Sequence, residues 1–211
     1  SAQRIFVTSH YDGRVNPLSG ISISTDGGGS WGNANFALNT LPCTFFGSAG
    51  GAPRFHIALN GANVFAGTSC ALARSTDSGG SWDFVDPTPG DFAAEPVFAV
   101  IAHGKQNVDV ISNNGHTRST DNGGSWSALV PGPGPIAGVV GLGASIAVSP
   151  HESNVLLASM TQTVVGFTVL NPPVINIWES DDSGATWPTS LTPPILSRSG
   201  TPGALGRYPF V

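Results

Sequence analysis

The 211-residue chain is 10% charged and 40% hydrophobic, with 28 Gly, 17 Pro, 11 Phe and 5 Trp. Gly and Pro at that density exclude long helices, because the first weakens helix interiors and the second breaks them, and the aromatic load excludes a disordered chain. Net charge is −5, with one lysine, Lys105, and no basic run, so the electrostatic footprint of a nucleic-acid binder is missing.

In chain order, Arg4–Ser9 and Gly20–Ser24 are predicted strands, the second running into Ser24-Thr25-Asp26-Gly27-Gly28-Gly29-Ser30-Trp31. Strands at Phe55–Leu59, Asn63–Gly67 and Ala71–Ser75 precede Ser75-Thr76-Asp77-Ser78-Gly79-Gly80-Ser81-Trp82. Val97–Ala102, Val108–Ser112 and His116–Ser119 precede Ser119-Thr120-Asp121-Asn122-Gly123-Gly124-Ser125-Trp126. Ile146–Ser149, Val155–Ser159 and Val174–Ser180 precede Ser180-Asp181-Asp182-Ser183-Gly184-Ala185-Thr186-Trp187, with 161–173 expected as an apolar loop. All four turns fit Ser-x-Asp-x-Gly-x-Ser/Thr-Trp, and successive Trp residues lie 51, 44 and 61 positions apart. Repetition at that period is the mark of a repeat architecture.

The chemistry of the repeat is that of a hairpin tip. An Asp carboxylate can accept hydrogen bonds from its own turn, and Gly two positions later supplies positive φ without strain. The Trp that follows can pack beneath the turn as the chain re-enters a strand. Each unit therefore reads as strand, turn, strand, connection, strand, Asp turn, strand, which is a four-stranded meander of propeller-blade length. The units fall at about 1–40, 41–90, 91–135 and 136–211, forming one domain or propeller fragment over 1–211.

These four turns resemble the Asp-box (BNR) repeats of sialidases, sortilin-type receptors, xyloglucanases and photosystem assembly factors, and 146–155 resembles an inner-strand segment of such proteins. The resemblance implies an all-β fold, a β-propeller of four-stranded antiparallel blades with Asp-box hairpins. Either four blades close a ring, with Ala204–Val211 supplying the missing first strand, or further blades or a second chain complete a larger one. In the repeats, Asp26, Trp31, Asp77, Trp82, Asp121, Trp126, Asp182 and Trp187 are expected to be structural. The distal Glu of a calcium loop is missing after each Asp, so neither a metal nor a cofactor is expected. Trp178 lies outside the repeat pattern and is expected in the core.

The rim opposite the Asp turns is where propellers usually bind ligands. It would carry Tyr11, Asp12, Arg14, Asn113, Asn114 and His116, a polar and aromatic mix suited to sugars, together with Asp86, Asp91 and Glu95. Cys43 and Cys70 map to the same rim as a candidate disulfide, with two buried thiols as the alternative. Ser1 opens the chain without a Met or an apolar leader, which fits a removed signal peptide or trimming equally. Apolar stretches such as 136–148 are interrupted by Gly and too short to span a bilayer.

The expected product is secreted or cell-surface, and its leading role is a noncatalytic binding propeller for a glycan or glycoprotein. One alternative is a glycoside hydrolase of sialidase-like or xyloglucanase-like type, and another is a protein-interaction scaffold. Sialidase chemistry wants an Arg cluster, an acid and a Tyr nucleophile backed by Glu. This chain offers Tyr11 and Tyr208, and Glu95, Glu152 and Glu179, and Arg4-Ile5-Phe6 departs from the Arg-Ile-Pro motif expected near the start. Asp12 and Asp91 are candidates for a xyloglucanase-like inverting pair.

Overall fold

The repeated turn ties itself together with its own side chains. Asp77 Oδ1 accepts from Ser75 Oγ and from the Ser81 amide, both at 2.8 Å, while its Oδ2 accepts from Ser81 Oγ at 2.8 Å. Ser75 Oγ in turn accepts from the Gly79 amide at 2.7 Å. The same bonds form around Asp26, Asp121 and Asp182 within 0.2 Å of those lengths. To present these amides the backbone takes two successive positive φ values, 63° at Ser78 and 90° at Gly79 in the second turn. The last three turns are also fastened to the preceding hairpin of their own sheet, as where the Ser78 amide donates to the Ala62 carbonyl at 2.9 Å, and in the first the Gly27 amide donates to the Gln3 carbonyl at 2.8 Å.

In the computed structural model, which describes residues 3–8, 21–33, 56–67, 71–85, 97–112, 115–130, 139–165 and 168–190, every regular element is a strand. The first sheet holds β1 (Ile5–Thr8), β2 (Ile21–Ser24) and β3 (Gly32–Asn33), in that order. The second holds β4 (His56–Asn60), β5 (Asn63–Gly67), β6 (Leu72–Ser75) and β7 (Asp83–Val85). β8 (Val97–His103), β9 (Asn107–Ser112) and β10 (Gly115–Ser119) form the third, where a bridge between His116 and Val130 stands in place of a fourth strand. The fourth sheet contains β11 (Val139–Val148), β12 (Leu156–Val165), β13 (Thr168–Ser180) and β14 (Thr189–Ser190). All strand pairs are antiparallel meanders.

Side-chain alternation along the strands seals one sheet to the next. In β5, Val64 and Ala66 point into a cluster with Ile21, Phe6 and Ile23 of the first sheet. Phe65 between them points the other way, into Val97, Val100, Val108 and Val110 of the third. A further cluster joins Ala99 and Ile111 of the third sheet to Ala158, Ile146 and Trp178 of the fourth. The first strands β4, β8 and β11 run side by side in succession, so the sheets stack blade against blade around their innermost strands.

Two expectations need correction. The turn Trp does not pack beneath its own turn alone: Trp82 is driven into the seam with the preceding sheet, beside Ile21, and is 8% exposed. Trp31 has no preceding sheet among the described residues and is 41% exposed. The expected loop at 161–173 is instead the outer end of a long hairpin, with Val165 paired to Thr168 and Val164 to Val169. Between Val169 and Val174 the register jumps, so that Leu170–Pro173 lie in a bulge opposite Thr163. Pro172 and Pro173 have no amide hydrogen to offer a ladder, and a bulge tolerates them where a regular strand does not.

Candidate functional site at the seam of the third and fourth sheets

Beside its apolar cluster, the third seam carries a buried ionic group. β9 reads Asn-Val-Asp-Val-Ile-Ser, and its alternation puts Asp109 and Ile111 on the face turned towards the fourth sheet. Asp109 holds the place that Phe65 takes in the second sheet, since Asp109 pairs with Arg118 as Phe65 pairs with Arg74. Its carboxylate is fully buried. A buried carboxylate without partners is costly, and this one has three. Oδ2 accepts from His103 Nε2 at 2.6 Å and Arg118 Nη2 at 2.9 Å. Oδ1 accepts from His116 Nε2 at 2.7 Å and Arg118 Nε at 2.8 Å. Burial pushes the Asp109 carboxyl up, but the bonds from His103, His116 and Arg118 outweigh it and hold it well below the usual carboxylate range.

His116 reaches across the seam. Its Nδ1 lies 3.0 Å from the Gly184 carbonyl in the turn of the fourth sheet. Each ring nitrogen thus faces an acceptor, the Gly184 carbonyl on one side and the Asp109 carboxylate on the other. Trp187 meets it edge to face, with centroids 5.4 Å apart and planes at 70°. At Gly184 a Cβ would collide with this ring, which is why the close approach requires glycine.

Over this cluster lies a groove of about 580 Å³ between the turns of the third and fourth sheets, a volume within the range of small-ligand sites. His116 and Arg118 line its inner part, Thr120, Ser125, Ser127 and Trp126 one wall, and Asp182 and Ser183 the other. Asp182 is held down at about 2 by hydrogen bonds from Thr186 and Ser180, so it stays an acceptor at neutral pH and cannot deliver a proton. The Trp126 indole N–H is buried without a hydrogen-bond partner, but so are those of Trp82 and Trp187. That orphan belongs to the repeat and does not mark a ligand. What the groove presents is a set of fixed hydroxyls, one carboxylate and a guanidinium edge beside an indole.

Among the rim residues proposed from sequence, His116 is described, and it is not on an open rim: it is 1% exposed, with both nitrogens engaged. Tyr11, Asp12, Arg14, Asn113, Asn114, Cys43 and Cys70 lie outside the described residues, as do Asp86, Asp91, Glu95, Tyr208 and Ala204–Val211. Sequence reasoning missed Asp109, His103 and Arg118. Their signal was there: an Asp inside an apolar strand, at the repeat position where other units carry Phe6, Phe65 or Leu157.

No family model and no curated protein matches the chain. Solved structures do. An ancestral GH74 enzyme superposes with a TM-score of 0.59 at 21% identity, over 90% of this chain and 24% of that one. This chain therefore spans about a quarter of that enzyme's length. YCF48 bound to D1 peptide gives a TM-score of 0.42 at 18% identity, over 82% of this chain and 60% of that one. YCF48 from Cyanidioschyzon merolae gives 0.38 at 14%, over 80% and 77%. The chain is all-β, a partial β-propeller whose described sheets follow one another as blades without closing a ring.

Proposed function

We propose that this chain is an extracellular, noncatalytic binding propeller of the Asp-box type, and that its ligand is a carbohydrate or glycoconjugate. The observation that supports this most is the chemistry of the seam groove. Its acids are spent: Asp109 is buried under three partners, and Asp182 is tied into its own turn. Its hydroxyls and the Trp126 indole stand on stiff, hydrogen-bonded turns. Preformed polar groups beside an aromatic surface suit a polyhydroxylated ligand at little ordering cost.

A second reading, glycoside hydrolysis, draws on the likeness to the GH74 enzyme. It would place the reacting acids elsewhere in the chain, with Asp12 and Asp91 as candidates. A glycan array, paired with a reducing-sugar assay on the glycans that bind, separates the two. Saturable binding without sugar release is expected, and Ala128→Arg, an exposed groove position, should abolish it. Release of reducing ends supports the hydrolase instead. Silence on the array, with one saturable protein partner, supports a scaffold and defeats the proposal.

A further inference from the structure

Three seams share one device. At each, a ring from the preceding sheet lies on the second positive-φ residue of the next sheet's turn: Phe6 on Gly79, Phe65 on Gly123 and His116 on Gly184. Gly28 is the corresponding residue of the first turn. Around a Cβ built there, the nearest atoms belong to Trp31 and Ile5 of its own sheet, at 3.8 and 3.9 Å.

The registers allow the comparison position by position. Ile5, Val64, Val108 and Leu156 each pair with the serine that opens their sheet's turn. The last three are fully buried, whereas Ile5 is 38% exposed. Two residues on, Ala66, Val110 and Ala158 are buried and Val7 is 47% exposed. With Trp31, these side chains form an apolar face that matches the covered faces of the other sheets. Such a face on a soluble protein marks an interaction site.

The outer face of the fourth sheet is its complement. Leu157 pairs with Glu179 as Phe6 pairs with Ile23 and Phe65 with Arg74, so it occupies the cap position, and it is 45% exposed. Among the described residues neither face covers the other. We infer that a second copy of this chain covers them, with the fourth sheet of one copy seated on the first sheet of the other and Leu157 lying on Gly28. The contact continues the seam already formed three times within the chain. Because each copy carries both halves, the contact is head-to-tail, and two copies close it with two identical seams. The resulting eight sheets lie at the top of the typical range of roughly four to eight blades.

Sedimentation equilibrium tests this on the unaltered chain, on Val7→Asp, on Leu157→Asp and on an equimolar mixture of the two variants. Both positions are exposed, and thermal melts of the variants verify that they fold. The unaltered chain is expected at twice its 21.5 kDa mass, and each variant alone at the single mass. The mixture should recover dimer, since the intact fourth sheet of the Val7→Asp copy meets the intact first sheet of the Leu157→Asp copy. A monomeric unaltered chain across the micromolar range overturns the inference. So does a dimer that both variants keep, or one that mixing fails to restore.

Discussion

Gly123→Ala probes the seam between the second and third sheets. The residue sits at φ 80°, and a Cβ there would stand 2.8 Å from Phe65 Cε1 and 3.4 Å from Arg74 Cδ. Phe65 is fully buried among Val97, Val100, Val108 and Val110 and has nowhere to retreat. A left-handed backbone costs a residue with a Cβ about 1–2 kcal/mol, and crowding a packed core costs about 1–3 kcal/mol. The variant should therefore lose about 2–5 kcal/mol. Gly61→Ala is the control: φ is 64°, but a Cβ there meets nothing within 4 Å, so only the backbone cost of about 1–2 kcal/mol applies. Urea denaturation of both variants measures the difference. In a Phe65→Ala background the clash is gone, and Gly123→Ala should then cost no more than Gly61→Ala. Equal losses for the two glycines in the unaltered background would refute the reasoning, because the ring of one sheet would not be resting on the turn of the next.

Truncating Phe65 to Ala should cost about 3–5 kcal/mol, while Phe84→Ala, at a position 45% exposed, should stay within about 0.5 kcal/mol of the parent; denaturation midpoints of the two order them. Asp109→Asn leaves the Arg118 guanidinium in the seam without its counter-charge and should destabilise by about 3–5 kcal/mol, so a loss as small as a surface substitution's contradicts the ion pair at the seam. Stability should also fall in acid. Asp182 sits at about 2 against an ordinary 3.8, and Asp26, Asp77 and Asp121 are held lower still, chiefly by the Ser30, Ser81 and Ser125 bonds. A folded-state value below the unfolded one stabilises fully above 3.8 and is lost as pH falls towards 2. Thermal midpoints should thus be flat near neutrality and drop steeply across that window, and a flat profile down to pH 2 contradicts the turn chemistry.

The turns were legible in the sequence because their bonds are local. Ser75, Asp77, Gly79 and Ser81 satisfy one another within seven residues, and local chemistry leaves a fixed spacing. Most strands were legible for the same reason, as with Asn63–Gly67. The destination of each Trp was not, because Trp82 is buried by Ile21 of another sheet, and nothing near it in sequence records that neighbour. The long hairpin was hidden by Pro172 and Pro173, which read as a loop until a bulge accommodates them. The Asp109 cluster was hidden differently. His103, Asp109, His116 and Arg118 lie on three strands and meet only when register places them on one face. His116, at the start of its strand, read as an accessible rim residue, yet the turn of the next sheet closes over it.

The claim that the seam groove is the binding site is tested most directly by the indole N–H signals of the five Trp residues in a nitrogen–proton correlation spectrum. Trp126→Phe identifies the groove residue's peak. On titration with the oligosaccharide that gives the strongest array signal, the Trp126 peak should move saturably while those of Trp31 and Trp82 stay in place, and Ala128→Arg should abolish the movement. Movement at Trp31 or Trp82 with Trp126 unchanged would contradict the account and place the ligand on another face.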